Sequence, residues 1–443
     1  MMLVLVAWAA RPDLLGVTSF VRASFLDAAA YHPLLAFFHS RALPLPALLR
    51  AWVQLALTLF RPVTEGGYVV FVADGLKVGK EGRKMPAVKS LHQESENNSK
   101  AEYIMGHSFQ VLALLAQTAG GQVLAVPLLA RICEGLVGRR ADARKSQLVK
   151  LADMFLEVTG LAAVRAVLVA DAYYASRTVI EPLLARGHHL ISRARKNAVA
   201  YEPAPSTTTK RRGRPKKYGR KVRLRDLFKA WQSFTTVPSP VYGEKGIALQ
   251  YRSVDLLWRP VGRSIRFVLV KHPTRGRLIL LSSSCDLDPV AVIKLYGLRF
   301  KIEVSFKQAL NTVGGYAYHF WMMAMTPIRR GAGNQHIDRR TTCYQKAVAR
   351  KLDAYHRYVQ LACIVQGLLQ HLAVNLSQSV WAAFGSWLRT MRKDLVPSEM
   401  VVAHALRAHL PEFLLDTSGN TKLQKFILSR AHVDRMPGFQ MAE

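Results

Sequence analysis

The sequence predicts an α/β fold: a mixed sheet with flanking helices, interrupted by a β-rich insertion and bordered by helical N- and C-terminal regions. Two apolar runs at 68–73 and 166–170 have the length and composition of buried strands. Helix-like patterns alternate with further strand-like runs around them. Half of the 443 residues are hydrophobic, which suffices for a large core and excludes a disordered chain.

Residues 1–62 hold apolar segments that prolines interrupt, a pattern that predicts short helices in a small N-terminal domain. Residues 63–195 form the first part of the predicted core. After the strand at 68–73, residues 103–130 contain two strand-like runs joined at Gly120-Gly121, which is typical of a tight hairpin turn. Four further elements are predicted in the order helix 147–157, strand 166–170, helix 176–185 and strand 189–193. This order resembles a ribonuclease-H-like core, although many α/β domains contain a similar run.

The second half of the chain divides into three segments. Residues 196–286 combine a basic linker with strand-like runs and are predicted to be a β-rich insertion into the core. Residues 287–325 hold a core helix, since Asp288-Pro289 places an N-cap acid before a proline in the first turn. We expect this helix to reach about Ala309. Residues 326–443 are predicted to be helical.

The charge of the chain indicates a polyanionic partner. Lys and Arg number 62 against 29 Asp and Glu, which gives a net charge of +33. Nucleic acid is the commonest partner of such a surface. Within the most basic stretch, five residues resemble an AT-hook core, whose arginines enter a narrow A·T minor groove: Arg212, Gly213, Arg214, Pro215 and Lys216. A linker that attracts phosphates without groove insertion is the alternative, and both contact DNA.

The cysteines and the apolar stretches bear on where the protein resides. Four scattered cysteines without a C-x-x-C pair indicate neither a disulfide framework nor a zinc finger, and they fit a reducing cytoplasm. The longest uncharged stretch near the C-terminus, at 358–388, contains recurring Gln, Asn and His residues that lipid would penalise. We therefore expect a helix buried inside a protein and no membrane span.

Three acids are candidates for chemistry. On a helix that starts at Asp288, four residues share one face: Tyr296, Arg299, Glu303 and Lys307. The opposite face is an apolar stripe of Leu295, Leu298, Ile302, Phe306 and Ala309. Taken by itself, the charged helix face is typical of exposed i,i+4 ion pairs. An acid directly after a strand, as Asp74 and Asp171 are, is typical of a cap on the following helix. Together, Asp74, Asp171 and Glu303 would suit two divalent ions, and their oxygen ligands favour Mg²⁺.

The pattern Tyr296-x2-Arg299-x3-Glu303, preceded by Asp74 and Asp171, resembles the DDE transposases of bacterial insertion sequences. It is most similar to the insertion-sequence-four superfamily, which carries a β-rich insertion between its second and third acids. The similarity extends over about 67–325. One departure is that Leu310 occupies the position of the signature lysine, while Lys307 lies on the same helix face.

The resemblance implies a transposase that cuts the ends of an element and joins them to target DNA. Asp74, Asp171 and Glu303 would be the catalytic residues and the ligands of two Mg²⁺ ions, which Mn²⁺ can replace. Tyr296, Arg299 and, in place of the missing lysine, Lys307 would contact DNA phosphates. The partners implied are double-stranded DNA and a second copy of the chain, and the expected location is the nucleoid in a bacterial cytoplasm.

Two alternatives remain open from the sequence. The first is a decayed or domesticated relative that binds DNA without chemistry, an interpretation that rests on Leu310. The second is a metal-dependent DNA nuclease that cuts without joining, because both reactions use one site.

Overall fold

A computed structural model describes residues 1–93, 101–138, 145–205, 216–416 and 421–437. The fold is α/β, as predicted, and its centre is one mixed sheet of thirteen strands with helices packed against it. A separate pair of short strands completes the β-structure of the described residues.

The strands follow the chain in two groups. The first group is β1 (Thr64–Glu65), β2 (Tyr68–Gly79), β3 (Lys89–His92), β4 (Tyr103–Gln117), β5 (Val123–Ile132), β6 (Leu136–Val137), β7 (Ala166–Ala170) and β8 (His189–Arg193). The second group is β9 (Val199–Pro203), β10 (Tyr218–Arg223), β11 (Thr235–Pro238), β12 (Ala248–Trp258), β13 (Arg263–His272), β14 (Gly276–Ser282) and β15 (Gln335–His336).

The helices lie mainly at the two ends of the chain. Before the sheet come α1 (Met2–Ala10), α2 (Thr18–Ala23), α3 (Tyr31–His39) and α4 (Leu45–Leu59). Within the core lie α5 (Gln147–Ala162), α6 (Arg177–Leu184), α7 (Pro289–Gly297) and α8 (Lys301–Asn311). The C-terminal region contains α9 (Thr342–Asn375), α10 (Ser377–Ala383), α11 (Glu399–Leu415) and α12 (Lys422–Leu428).

The core of the sheet has the strand order β5-β4-β2-β7-β8. β2 is antiparallel to β4 and parallel to β7, and β7 is parallel to β8, with α6 as the crossover between the last two. Parallel neighbours require such a crossover, since a tight turn cannot join them. This topology is consistent with a ribonuclease-H-like core.

Helices cover both faces of this core, so its strands are apolar on both sides. Phe71 and Leu168 belong to one cluster together with Phe155 of α5. Val70 and Val167, whose side chains point to the opposite face of the sheet, belong to a second cluster with Ile302 of α8. Strands buried on both faces read as continuous apolar runs instead of alternating ones, which is the pattern that identified them in the sequence.

The β-rich segment after β8 extends the same sheet. β14 pairs antiparallel with β8, and β13, β12, β9 and β10 continue outward from it. The sequence predicts an insertion here, but only the structure shows that its strands join the edge of the core.

Two local predictions were wrong in detail. The strand that begins at Tyr68 does not end before Asp74 but continues to Gly79, because its antiparallel pairing with β4 persists after its parallel pairing with β7 stops at Ala73. The single helix predicted after Asp288 is divided into α7 and α8 by a 3₁₀ turn at Leu298–Phe300. The predicted start is confirmed, since the Asp288 side chain accepts a hydrogen bond from the Ala291 amide at 2.9 Å.

The helices of the two ends pack together and onto β5. The Trp8 indole donates to the Val313 carbonyl at 2.8 Å, and the Gln360 amide donates to the Leu128 carbonyl at 2.8 Å. The middle of α9, the uncharged helix of the sequence, is buried in this contact. In the described part of the chain, no single helix has the length and apolarity to cross a membrane. The bent pair α9–α10 meets those criteria together, with 99° between its members.

Candidate active site

Asp74 and Asp171 lie side by side at the end of the parallel pairing between β2 and β7. The last pair in this register is Ala73 with Ala170, and each aspartate is the next residue. The Asp74 Oδ1 atom accepts a hydrogen bond from the Gly75 amide at 2.8 Å. The Asp171 Oδ1 atom accepts one from the Ala172 amide at 2.6 Å and so begins a short 3₁₀ helix. The sheet register therefore brings together two acids 97 residues apart.

Arg299 links the third acid to the first. Its Nη1 atom donates to Asp74 Oδ2 at 2.6 Å, and its Nη2 atom donates to Glu303 Oε1 at 3.0 Å. Leu298 of the 3₁₀ turn and Ile302 of α8 are buried, so Arg299 and Glu303 lie on the opposite, outer side. The predicted i,i+4 ion pair between Arg299 and Glu303 is thus present, and Arg299 also bonds to Asp74 of β2 in the sheet.

The charges of these groups influence one another. Burial raises the pKa of Asp74, the neighbouring guanidinium of Arg299 opposes this, and the carboxylates of Asp171 and Glu303 raise it further. Burial works against the charge on Arg299, but the nearby acids Asp74, Glu303 and Asp171 outweigh it and raise its pKa. All three acids therefore act on one positive charge.

This arrangement fits a cation in its charge and its donor atoms. Three carboxylates supply the hard oxygen ligands that Mg²⁺ prefers, and a guanidinium is the positive charge between them. In the described ranges, no three His, Cys, Asp or Glu side chains are grouped so that they could hold a metal ion as they stand. Asp74 and Glu303 are instead both bonded to Arg299.

Tyr296 and Lys307 differ in their surroundings. Tyr296 is partly buried; burial and the nearby Asp171 raise the pKa of its hydroxyl, while Arg299 and Arg193 oppose the shift. Lys307 is exposed one helical turn beyond Glu303. Leu310, at the position of the signature lysine, packs against the hydrophobic core.

The predicted AT-hook is only partly covered by the structure. Arg212, Gly213, Arg214 and Pro215 lie outside the described residues. Lys216 is exposed just before β10. Groove insertion by this segment stays a prediction.

The structure adds neighbours that the sequence analysis missed. Arg193, the last residue of β8, lies close enough to Tyr296 to affect its pKa. Tyr174 is buried beside Asp74, and burial followed by the charge of Asp74 raises its pKa. Tyr242 of the insertion lies against the start of α8, with the Lys301 ammonium 3.7 Å from its ring centroid. The position of Arg193 at a strand end was a usable signal, whereas no sequence pattern points to Tyr242.

Comparison with protein families gives a match to the first part of the chain. Residues 27–242 match a protein-family model described as DDE superfamily endonuclease. The matched range includes Asp74 and Asp171 and stops before Glu303. No curated protein matches the chain. The match supports a DDE transposase-like family and a nuclease or transposase type of function, with DNA as the implied substrate.

Proposed function

We propose that this protein is a DNA transposase that cuts the ends of an insertion sequence and joins them to target DNA. The observation that carries the proposal is that Arg299 bonds to both Asp74 and Glu303, while Asp171 follows the strand paired with that of Asp74. A surface helix with solvated ion pairs does not explain why Arg299 also binds an acid of the central sheet. The match to DDE superfamily endonucleases supports the same function.

Asp74, Asp171 and Glu303 are the proposed ligands of the divalent metal ions, Mg²⁺ or in its place Mn²⁺. A pair of such ions held by these residues would activate a water molecule and would stabilise a leaving 3′ oxygen. Asp171 is held by its helix-capping bond, and Asp74 by the Gly75 amide, so the ligand positions are fixed by the backbone. Glu303 is the most exposed of the three and comes from a separate element.

The positive residues of the site bind the DNA backbone. Arg299 in the turn before α8 and Lys307 on α8 lie on either side of Glu303 in the chain, and Tyr296 lies near Asp171 and Arg193. Arg binds phosphate through two parallel hydrogen bonds, whereas Lys acts as a point charge. The net charge of +33 attracts DNA to this surface. Cleavage by water leaves a 3′-OH. In the same site this group then attacks a target phosphodiester, forms a new P–O bond and displaces the 3′ oxygen of the target strand.

Two further features follow from the proposed reaction. Two element ends are joined in one event, so we propose that the working form on DNA is a homodimer. We place the protein at the nucleoid of a bacterial cytoplasm, where its substrate lies.

The decisive experiment is cleavage of DNA taken from both sides of the coding sequence, where element ends would lie, with Mg²⁺ present. Asp74→Asn, Asp171→Asn and Glu303→Gln should each reduce cleavage about 10²-fold or more while DNA binding persists. Asp394→Asn is the matched control, since Asp394 forms an exposed pair with Arg392. Undiminished cleavage by Asp74→Asn dismisses the proposal.

A nuclease that cuts without joining is the second candidate, because the matched family is described as an endonuclease. The two are separated by supplying precut ends with a free 3′-OH and a supercoiled target. Joined products support the transposase, and their absence alongside active cleavage favours the nuclease.

A further inference from the structure

We propose that Arg299 makes metal binding at this site dependent on DNA. In the structure its guanidinium lies between Asp74 and Glu303, and a DNA phosphate must draw it away before both acids can bind a divalent ion. This inference rests on the proposed function and adds to it the order in which metal and DNA bind.

The hydrogen bonds of Arg299 show why it competes with a metal. The two bonds use different nitrogens and reach different acids, at 2.6 Å to Asp74 and 3.0 Å to Glu303. The other oxygen of Asp74 accepts the Gly75 amide, so each oxygen of this carboxylate already has a partner. A divalent ion that takes both acids must displace the guanidinium, because two cations at such short range repel each other.

The guanidinium is nevertheless able to leave. Its side chain is 21% exposed, that of Asp74 is 22% exposed and that of Glu303 is 58% exposed. The bond to Glu303 is the exposed one, and water and salt weaken it. The bond to Asp74 is largely buried, so a charged group such as a phosphate has to replace it. Arg299 also lies in the 3₁₀ turn between α7 and α8, where buried Leu298 anchors the backbone and only the arginine side chain has to move.

DNA offers the guanidinium a better partner at the right place. Its planar fork matches phosphate geometry as well as it matches carboxylate geometry. Lys307 is exposed on α8, eight residues and about two helical turns beyond Arg299, and it adds attraction for the DNA backbone on the same side of the site. Once Arg299 turns to DNA, the three acids lose their neutralising charge, and the attraction for Mg²⁺ rises. Thermodynamic linkage requires that the metal strengthens DNA binding by the same factor.

The direct test is Mn²⁺ binding to the full chain without DNA, measured by titration calorimetry. Arg299→Gln should bind Mn²⁺ about tenfold more tightly than the unmodified chain, within the ~5–150-fold range of ordinary coupling between sites. Arg392→Gln removes one arginine from an exposed pair with Asp394, so it controls for the change in net charge. The Mn²⁺ affinity of Arg299→Lys should lie between those of Arg299→Gln and the unmodified chain, since one ammonium group cannot bond to both Asp74 and Glu303 as the guanidinium does.

The reciprocal test measures affinity for a short DNA duplex with and without Ca²⁺ at constant ionic strength. The unmodified chain and Arg392→Gln should gain affinity when Ca²⁺ is present. Arg299→Gln should bind DNA more weakly and lose most of this gain. Melting curves of all variants verify that each is folded.

Several outcomes overturn the inference. Equal Mn²⁺ affinity in Arg299→Gln and Arg392→Gln means that the guanidinium does not compete with the ion. Weaker Mn²⁺ binding in Arg299→Gln means that Arg299 organises the acids for the metal. In both cases loss of Mn²⁺ binding in Asp74→Asn leaves the proposed function standing. If neither the unmodified chain nor Arg299→Gln binds Mn²⁺, with or without DNA, the coupling and the proposed metal site fall together.

Discussion

Replacement of Gly367 by alanine tests how the C-terminal region is seated on the rest of the fold. Gly367 lies inside α9, where a Cβ atom would overlap the indole ring of Trp52 from α4. Trp52 is 1% exposed, and its indole donates to the Pro127 carbonyl at 2.9 Å. The neighbouring Gln366 donates to the Ser305 carbonyl of α8 at 3.0 Å, so a displaced α9 also disturbs the helix that carries Glu303.

Two opposing effects decide the size of the change. Alanine is favoured over glycine inside a helix by about 1 kcal/mol. Overpacking a closed contact costs about 1–3 kcal/mol, and a displaced indole forfeits a hydrogen bond worth about 1 kcal/mol. We therefore expect Gly367→Ala to lower the free energy of unfolding by about 1–3 kcal/mol. At roughly 2.1 cal/mol/K per residue, a loss of about 2 kcal/mol lowers the Tm of a chain of this size by about 2 °C.

The assay is thermal and urea unfolding followed by circular dichroism. Gly160→Ala is the matched control, because Gly160 is exposed in α5 and an added Cβ would meet nothing within 4 Å. This control should gain stability. Trp52→Phe makes room for the methyl group, so the double variant should lose less than the sum of the two single losses. A stability gain in Gly367→Ala equal to that in Gly160→Ala would refute the described packing.

Three other predictions concern titration and DNA contact. Burial lowers the pKa of Lys80 from its ordinary value of 10.5 to about 8 in the folded chain. Between these two pH values the unfolded chain binds more protons than the folded chain, so the free energy of unfolding should increase as the pH rises from 8 to 10.5. Lys80→Met should flatten this rise, and an unchanged Tm difference between pH 7.5 and pH 10 would contradict the assignment. Burial raises the pKa of Glu399 in the folded chain above its ordinary value. The folded chain therefore stays protonated at a pH where the unfolded chain has lost the proton, and the free energy of unfolding decreases as the pH rises through the folded-state pKa. The difference in Tm between Glu399→Gln and the unmodified chain should therefore favour the variant more at pH 8 than at pH 4. An equal difference at both pH values would contradict the raised pKa of Glu399. Lys307→Ala should weaken DNA binding and reduce the salt slope by about 1, which a filter-binding salt series measures, and an unaltered slope would remove Lys307 from the DNA surface.

Local patterns in the sequence were sufficient for the elements of the core. The apolar runs at 68–73 and 166–170 predicted two strands, and the glycine pair at 120–121 predicted the turn between β4 and β5. Asp288-Pro289 predicted the start of a helix. These signals are local because burial on both faces, turn geometry and helix capping each depend on a few adjacent residues.

Contacts between distant parts of the chain decided the rest. Neither the continuation of β2 past Asp74 nor the joining of β14 to β8 could be predicted, because each depends on a partner strand elsewhere in the sequence. The 3₁₀ turn between α7 and α8 contains no proline, and Gly297 just before it is a weak signal, since an isolated glycine is tolerated inside a helix.

The sequence by itself determined which three acids were candidates and that a basic helix face accompanies Glu303. Only the tertiary structure decided that Arg299 bonds to Asp74, a residue 225 positions away. The spacing of residues along a helix fixes which side chains share its face, but the partner of that face is chosen by how the helix packs on the sheet. That packing is the sum of many small apolar contacts, and no motif of a few residues encodes it.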